Sequence, residues 1–393
     1  MIVDGFHLTY CSNIHRGETW AEVSAALAGS LPRVREQLSV AGPLGVGLRL
    51  SAQAAETLEH GETLAAFKDF LRTGNYYVFT INGFPYGAFH GQRVKEQVYR
   101  PDWREPARVD YTNRLARLLA ALLADRPEIE GSVSTVPGAF RSEVTSAADV
   151  DTIATRILQH ARELVALRER TGITITLAIE PEPVCFIETV DDAIAFFDQR
   201  LFDAAWASRM GVSVEDVRRH VGICFDACHM AVEYEDPAEA LRRFRDAGIR
   251  IGKVQISSAL DIRQRDGAAI RVLMAPFAED TYLHQVVERS VSGLTRYTDL
   301  PQALEGVEGR VPAHSCDWRV HFHVPIVLSE MSGFHTTQPY LEEVLDLLKR
   351  ERACPYLEVE TYTWDVLPVE YRTTDIATAI ARELAWVRTQ LEA

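Results

Sequence analysis

The segment ITITLAIEPEP, residues 173–183, shows the pattern on which the fold assignment depends. An uncharged run rich in β-branched residues ends at Glu180, and Pro181 then takes the chain out of the strand. Unbroken runs of this kind are typical of strands that are covered on both faces, as in parallel sheets. The segment VGICFDACH, residues 221–229, repeats the pattern, with Asp226 at the end of the run. The sequence therefore predicts parallel strands with acidic residues at their carboxyl ends.

Similar runs recur along the whole chain and alternate with longer segments that have helical patterns. Thr19, Asp236 and Asp375 stand where helix caps are expected. About eight such alternations, with no linker between halves, favour one α/β domain over residues 1–393, a single (β/α)8 TIM barrel. The strand candidates are 7–12, 45–50, 76–82, 131–136, 173–180, 221–226, 251–257, 318–324 and 356–362.

These nine candidates are one more than the eight strands of such a barrel. The surplus candidate, 318–324, follows a stretch without clear periodicity. We interpret residues 259–317 as a large insertion in the connection after strand seven. On this interpretation His321 and His323 lie in a long loop at the C-terminal face of the barrel, where the active sites of such barrels are found.

Composition and charge restrict the class of partner. The chain has 47% hydrophobic and 25% charged residues, which is ordinary for a globular protein with a sizeable core. Its net charge of −15 argues against nucleic acid, since that affinity comes largely from Lys and Arg at phosphates. We see no signal peptide and no apolar run near the about 18 residues that span a membrane. Six scattered cysteines suit reduced thiols in the cytoplasm. We expect a small-molecule substrate and leave the oligomeric state open.

Carboxylate and imidazole side chains follow several strand candidates directly. Glu180, Asp226 and Glu360 end or follow such runs, and His229 comes three residues after Asp226. Buried carboxylates rarely lack partners, so their convergence would be explained most simply by a divalent metal. The alternatives are an ion pair at the barrel rim for Glu180 and a helix cap for Asp226. Mn, Zn, Fe or Mg would suit these ligands, and the imidazoles favour Mn or Zn.

Three further residues are candidate ligands. His321 and His323 alternate along an extended segment and so face one side, where they could share one ion or divide between ion and substrate. Gln255, within KVQISS, lies at a similar depth in strand seven. The predicted metal ligands are Glu180, Asp226, Gln255, His321 and Glu360.

A second set of residues is predicted to contact the substrate. Asn82 opens the segment NGFPYGAFHGQRVKEQVYRPDW, residues 82–103, which is long enough either to close over a small molecule or to pack as a surface loop. Glu182 lies just beyond Glu180, and Arg49 ends strand two. The predicted substrate contacts are Glu182, Arg49, Asn82, His90 and His323.

The combination of a strand-five Glu, a strand-six D-x-x-H and a strand-eight Glu resembles the xylose isomerase-like barrel superfamily. That group includes ketose 3-epimerases, sugar-phosphate isomerases and an endonuclease branch. FDACHM, residues 225–230, looks like the D-x-x-H turn of the epimerases, and LEVET, residues 357–361, looks like their final Glu strand. The resemblance implies that Glu180, Asp226 and Glu360 are metal ligands and that His229 contacts substrate or metal.

Longer strings resemble one family within that group more specifically. HLTYCSNIHRGETW (7–20), TINGFPYGAFHG (80–91), VKEQVYRPDW (94–103), STVPGAF (134–140) and VETYTWDVLP (359–368) look like the EboE "metabolite traffic" family of bacterial secondary-metabolite clusters. Gln255 departs from the epimerase pattern, which usually has a His ligand on strand seven. The His-x-His at 321–323 resembles the D-x-H of the endonuclease branch, which implies a possible second metal.

Three functions are compatible with these observations. The expected one is a metal-dependent isomerase or epimerase of a small polyhydroxylated carbonyl compound. Glu180 and Glu360 would alternate as base and acid, and His229 would polarise the carbonyl. The second is metal-assisted hydrolysis of a small phosphoester, with His321 and His323 holding a second ion. The third is a non-catalytic carrier that holds a metabolite at the mouth of the barrel.

Overall fold

The computed structural model describes residues 1–265, 267–306, 316–331, 333–372 and 374–393. Eight parallel strands of this described part alternate with helices and form the ring of a TIM barrel, which confirms the predicted fold class. In chain order the barrel strands β1 to β8 are Phe6–Tyr10, Leu44–Arg49, Tyr76–Asn82, Gly131–Thr135, Ile175–Ile179, Val221–Asp226, Arg250–Ile256 and Tyr356–Val359. Neighbours in sequence pair in parallel from β2 to β7, and β8 pairs with both β7 and β1.

The ring closes between β1 and β2, where two glycines allow a close approach of the backbones. A parallel bridge joins Cys11 to Gly47. A Cβ atom on Gly47 would lie 2.7 Å from the Tyr10 carbonyl oxygen and would also overlap the Glu358 carboxylate. A Cβ atom on Gly45 would lie 2.9 Å from the Leu8 carbonyl oxygen. Residues without a side chain are therefore needed at this seam.

The helices begin and end at the signals present in the sequence. Thr19 and Ser146 form capping boxes, Asp236 and Asp375 cap through their carboxylates, and Gly172 ends the longest helix with φ of 74°. None of the described helices is both long and apolar enough to cross a membrane. The α-helices are Trp20–Leu38, Ala52–Glu59, Gly61–Thr73, Pro106–Leu122, Ala147–Thr171, Val190–Phe196, Ala204–Arg209, Val214–His220, Ala227–Val232, Pro237–Asp246, Gly267–Met274, Leu300–Gly306, Gln338–Glu351 and Ile376–Glu392.

A second, antiparallel sheet is formed between β7 and β8. Its strands, in spatial order, are Gly293–Tyr297, Val286–Ser290, Cys316–Val320, Leu260–Arg265, Phe334–Thr336 and Glu330–Met331. Trp318 and Ile262 belong to its separate apolar core. The surplus strand predicted at 318–324 corresponds to Cys316–Val320. Residues 307–315 of the predicted insertion lie outside the described residues.

Glu383, on the last helix, connects two segments that lead to the barrel mouth. Its Oε1 accepts hydrogen bonds from the Ile326 N–H at 3.1 Å and from the Thr361 hydroxyl at 2.8 Å. Burial raises the pKa of Glu383 to about 7, although both hydrogen bonds act in the opposite direction. The folded protein therefore keeps this proton at pH values where the unfolded chain, with the ordinary pKa of 4.5, has lost it. The contribution of Glu383 to the free energy of unfolding is fully present below pH 4.5 and is lost as the pH rises through about 7.

We predict that Glu383→Gln removes this pH dependence. The Gln carbonyl oxygen can accept both hydrogen bonds, but it has no proton to lose. The wild-type free energy of unfolding should fall by about 3 kcal/mol relative to the variant between pH 4.5 and 7.5. Denaturant unfolding at several pH values measures this difference. Glu392→Gln, at the exposed end of the same helix, is the matched control. Parallel pH profiles for wild type and Glu383→Gln would contradict the assignment.

Candidate metal centre

Three carboxylates from distant parts of the sequence meet at the C-terminal face of the barrel. Glu180 and Glu360 directly follow β5 and β8, and Asp226 ends β6. The Glu180 N–H donates to the Thr135 carbonyl and the Glu360 N–H to the Ile256 carbonyl, both at 3.1 Å, so strand geometry extends one residue further. One oxygen from each carboxylate lies within 4.8 Å of the others. The structure thus brings together the three residues that the sequence places at strand ends.

The cluster is electrostatically unfavourable by itself. Burial, and then repulsion from Glu360 and Asp226, raises the pKa of Glu180 well above its ordinary value. Burial and the charge of Asp226 raise the pKa of Glu360 in the same way. Within the described part of the chain, Glu180 Oε2 and Asp226 Oδ2 have no hydrogen-bond partner although both are buried. Unpartnered buried oxygens in a group of like charges fit a cation as the missing partner.

Asp226 serves two purposes with its two oxygens. Oδ1 accepts from the His229 N–H at 2.9 Å and from the Ser257 hydroxyl at 2.8 Å, so it caps the helix Ala227–Val232. Oδ2 is the oxygen left without a partner. Burial alone would raise the pKa of Asp226, but His229 and His323 lower it below its ordinary value. The helix cap and the metal site are therefore compatible interpretations of the same residue.

Two asparagines orient Glu360. Its Oε1 accepts from Asn13 Nδ2 at 2.7 Å and from Asn82 Nδ2 at 2.8 Å. Asn82 was predicted as a substrate contact, and in the structure it lines the cavity while donating to Glu360. Asn13 has no such prediction, because it lies in a short 3-10 turn with no signal beyond its own polarity. The two amides leave Oε2 as the free oxygen of Glu360.

Hydrogen bonds fix the tautomers of two facing histidines. His229 Nδ1 lies 2.9 Å from the Pro181 carbonyl, which can only accept, so Nδ1 carries the proton. His321 Nδ1 lies 2.6 Å from Gln285 Oε1, which also accepts. The His321 ring therefore presents an unprotonated Nε2, which lies only 3.1 Å from His229 Nε2. Burial lowers the pKa of His321 well below its ordinary value, which keeps this ring neutral.

His323 and Glu182 complete this second group of donors. His323 Nδ1 donates to the Glu360 carbonyl at 3.0 Å, and its buried Nε2 has no partner among the described residues. Glu182 Oε1 accepts from Tyr99 and from Gln285, which also fixes the Gln285 amide. Glu182 Oε2 is buried and has no partner in the part of the chain that the structure describes. Donor atoms of Glu182, His229 and His321 lie within 4.8 Å of one another. Imidazole and carboxylate donors together suit Zn, Mn or Fe.

Arg49 and His90, both predicted as substrate contacts, are used to hold the long loop. Arg49 donates from Nη1 to Glu18 Oε2 at 2.8 Å and from Nη2 to the Gly87 carbonyl. His90 Nε2 pairs with the Asn13 carbonyl at 2.8 Å. Neither side chain is among those that line the cavity over the carboxylates. Their partners were not evident in the sequence because they depend on the loop conformation.

Gln255 faces the barrel interior beside Asp226, but its oxygen is occupied. Gln255 Oε1 accepts from the Cys224 thiol at 3.1 Å, whereas Nε2 is buried and has no partner in the described chain. Two residues earlier on the same face of β7, Lys253 donates to Glu358 of β8. Both side chains of this pair are fully buried. Burial alone would lower the pKa of Lys253, but the Glu358 carboxylate raises it.

The ion pair lies next to the carboxylate cluster and was not predicted. A lysine inside the buried run KVQI was the available signal, since lysine is almost never fully buried unless it is paired. The pair neutralises itself and so leaves the carboxylates of Glu180, Asp226 and Glu360 without a cation of their own.

We predict that Lys253→Met costs about 3–5 kcal/mol of unfolding free energy, because it leaves Glu358 buried and unpaired. The double variant Lys253→Met/Glu358→Leu should recover part of that loss. Denaturant unfolding of the single and double variants measures the coupling. Lys349→Met, which breaks a surface pair with Asp346 and a hydrogen bond to the Gln390 carbonyl, should cost only about 1–2 kcal/mol. Strictly additive losses at 253 and 358 would rule out the pair as a unit.

A small cavity of about 50 Å³, partly open to solvent, lies above these groups. Its polar lining comes from Asn13, Asn82, Glu180, Glu182, His229, His321, His323 and Glu360. Asp226 and Gln255 lie beneath it and are fully buried. Most predicted site residues are therefore gathered around one cavity.

Comparison with known proteins supports the fold. No protein-family model matches this chain, and no curated protein matches it at significant similarity. A xylose isomerase-like TIM-barrel protein from Mycobacterium smegmatis, solved in complex with magnesium, is 12% identical with a TM-score of 0.51, covering 98% of this chain and 96% of that one. The protein thus has the fold of the xylose isomerase-like TIM barrels.

Two further solved structures match with lower TM-scores. The IOLI protein, solved with a bound zinc atom, is 13% identical with a TM-score of 0.47 and coverage of 98% and 97%. AsbF of Bacillus anthracis, a probable 3-DHS dehydratase involved in petrobactin synthesis, is 10% identical with a TM-score of 0.47 and coverage of 96% and 97%.

Proposed function

We propose that this protein is a metal-dependent isomerase or epimerase of a small polyhydroxylated carbonyl compound. The observation that supports this most strongly is the convergence of Glu180, Asp226 and Glu360 with unpartnered oxygens beneath a cavity. The magnesium-bound neighbour and the resemblance to the EboE family add support for a metal-dependent enzyme of a secondary-metabolite pathway. Six buried cysteines, scattered along the chain, suit a cytoplasmic enzyme.

Glu180, Asp226 and Glu360 would hold the divalent ion, with Mn or Zn favoured by the adjacent imidazoles. Such an ion, when bound, holds adjacent substrate oxygens and stabilises the negative charge that develops on them. His321 would add Nε2 from the neighbouring donor group. Gln255 would join only after its Oε1 is released from the Cys224 thiol.

Proton transfer is assigned to the two glutamates. Glu180 would take the proton from the substrate carbon with the carboxylate oxygen that does not bind the ion. Glu360, fixed at Oε1 by Asn13 and Asn82, would start protonated and deliver its own proton to that carbon from Oε2. Proton exchange with solvent would then restore both carboxyl groups to their starting states. Because Nδ1 donates to the Pro181 carbonyl, a neutral His229 would offer Nε2 as an acceptor to a substrate hydroxyl rather than polarise a carbonyl.

We predict that Asp226→Asn weakens Mn or Zn binding by more than about 100-fold, since even residues behind the ligands contribute about 10–100-fold. The Asn oxygen can still accept from His229 and Ser257, so the fold should be retained. Calorimetric metal titration and far-UV circular dichroism measure the two properties. Asp236→Asn, which alters the equivalent cap of the helix Pro237–Asp246, should leave metal affinity unchanged. Metal content at the wild-type level in Asp226→Asn would remove Asp226 from the site.

A second candidate function is metal-assisted hydrolysis of a small phosphoester. The facing Nε2 atoms of His229 and His321, with Glu182 beside them, favour it because they form a second donor group. Two ions about 3.5–4 Å apart can stabilise both the attacking and the leaving oxygen of such a reaction.

The number of metal ions per chain separates these two functions. Inductively coupled plasma mass spectrometry should find one ion for the isomerase and two or more for the hydrolase. In the second case His321→Ala should lose one equivalent while retaining the other. Retention of both ions in that variant would exclude His321 as a ligand.

A further inference from the structure

Besides its charged groups, the cavity has an apolar part that the proposed reaction does not use. Phe84, Phe89, Val94, Val98 and Leu283 line it together with the carboxylates and histidines. These side chains come from the loop after β3 and from the segment inserted between β7 and β8. We infer that the substrate carries an apolar substituent beside its oxygen-rich part, and no phosphate at that end. The inference rests on the proposed function of the carboxylate site.

The apolar wall is a built part of the fold. The N–H groups of Val94 and Lys95 both donate to the Thr281 carbonyl, at 2.8 and 3.0 Å. Lys95 Nζ donates to the Glu279 carbonyl at 2.9 Å and to Asp299 at 2.8 Å. These bonds fasten the loop to the inserted segment.

A separate apolar cluster also joins the loop after β3 to the inserted segment. Phe89, Val94 and Tyr282 are buried together, at 5%, 4% and 4% exposure. A substrate in the cavity therefore meets a wall that already has its shape, and little ordering is needed on binding.

The charges around the cavity disfavour a phosphate at this end of the substrate. Of the cavity-lining residues in the described chain, Lys95 is the one with a cationic side chain, and its ammonium group is already paired with Asp299. Arg49 is held by Glu18 and the loop backbone. A phosphate dianion needs cationic donors, and the carboxylates of the site would repel it.

An unsubstituted polyol would also fit this wall poorly. Hydroxyl groups placed against Phe84, Val94 and Leu283 would lose water without gaining hydrogen bonds. Of the tyrosines that line the cavity, Tyr99 donates its hydroxyl to Glu182 at 2.8 Å, and the Tyr362 hydroxyl lies 3.4 Å from His321 Nε2. An aliphatic or aromatic substituent instead gains free energy from every apolar group that it buries there.

A series of hydroxamates tests the inference, since the hydroxamate group chelates divalent metals and the chain length can be varied. Acetohydroxamate, butanohydroxamate and hexanohydroxamate are titrated calorimetrically into the Mn-loaded protein. The dissociation constant should fall about fourfold per methylene group. Phosphonoacetohydroxamate, which carries an anionic end, should bind more weakly than hexanohydroxamate.

Variants of the wall locate the effect. Leu283→Ser and Val98→Ser should each reduce the gain in affinity per methylene group, and should weaken hexanohydroxamate more than acetohydroxamate. Val272→Ser, at a valine that is 76% exposed, is the control and should behave as wild type. Equal affinity across the series, with acetohydroxamate still bound, would contradict the inference of an apolar substituent but not the proposed metal site. Failure of every hydroxamate to bind would overturn both.

Discussion

The barrel mouth has to accommodate the mutual repulsion of three carboxylates. These are shielded from water, and one oxygen of each lies within 4.8 Å of the others. At an effective dielectric constant of about 20, each pair of charges at this distance repels by roughly 3 kcal/mol. Lys253 does not relieve this repulsion fully, because it is paired with Glu358. A divalent cation among Glu180, Asp226 and Glu360 would attract all three carboxylates and so offset their repulsion. We therefore place the proposed reaction at these residues.

The surrounding structure positions these oxygens instead of neutralising them. Parallel pairing fixes Glu180 and Glu360 one residue beyond their strands, and Asn13 and Asn82 hold one oxygen of Glu360. The cap of the helix Ala227–Val232 uses one oxygen of Asp226 and leaves the other free. Above these charged carboxylates, the loop after β3 and the inserted segment form an apolar wall of the cavity. Such a division is suited to a substrate with two chemically different ends.

The sequence predicted the barrel and the carboxylates because both depend on local pattern. An apolar run that ends in an acidic residue predicts both a strand and an acidic side chain at its carboxyl end. Glu180, Asp226 and Glu360 were found in this way. Arg49 and His90 were assigned to the substrate, but they bind Glu18, Gly87 and Asn13, which only the folded loop brings near. The antiparallel sheet between β7 and β8 was not predicted. Its strand Gly293–Tyr297 is mostly exposed and therefore lacks an apolar run.

The most direct measurement is an anomalous-scattering map from crystals grown with Mn or Zn. We predict a peak about 2.0–2.2 Å from carboxylate oxygens of Glu180, Asp226 and Glu360 together. A second peak between His229 and His321 would favour the phosphoester hydrolase over the isomerase. A map with no peak at the three carboxylates, in protein that demonstrably contains the metal, would contradict the account.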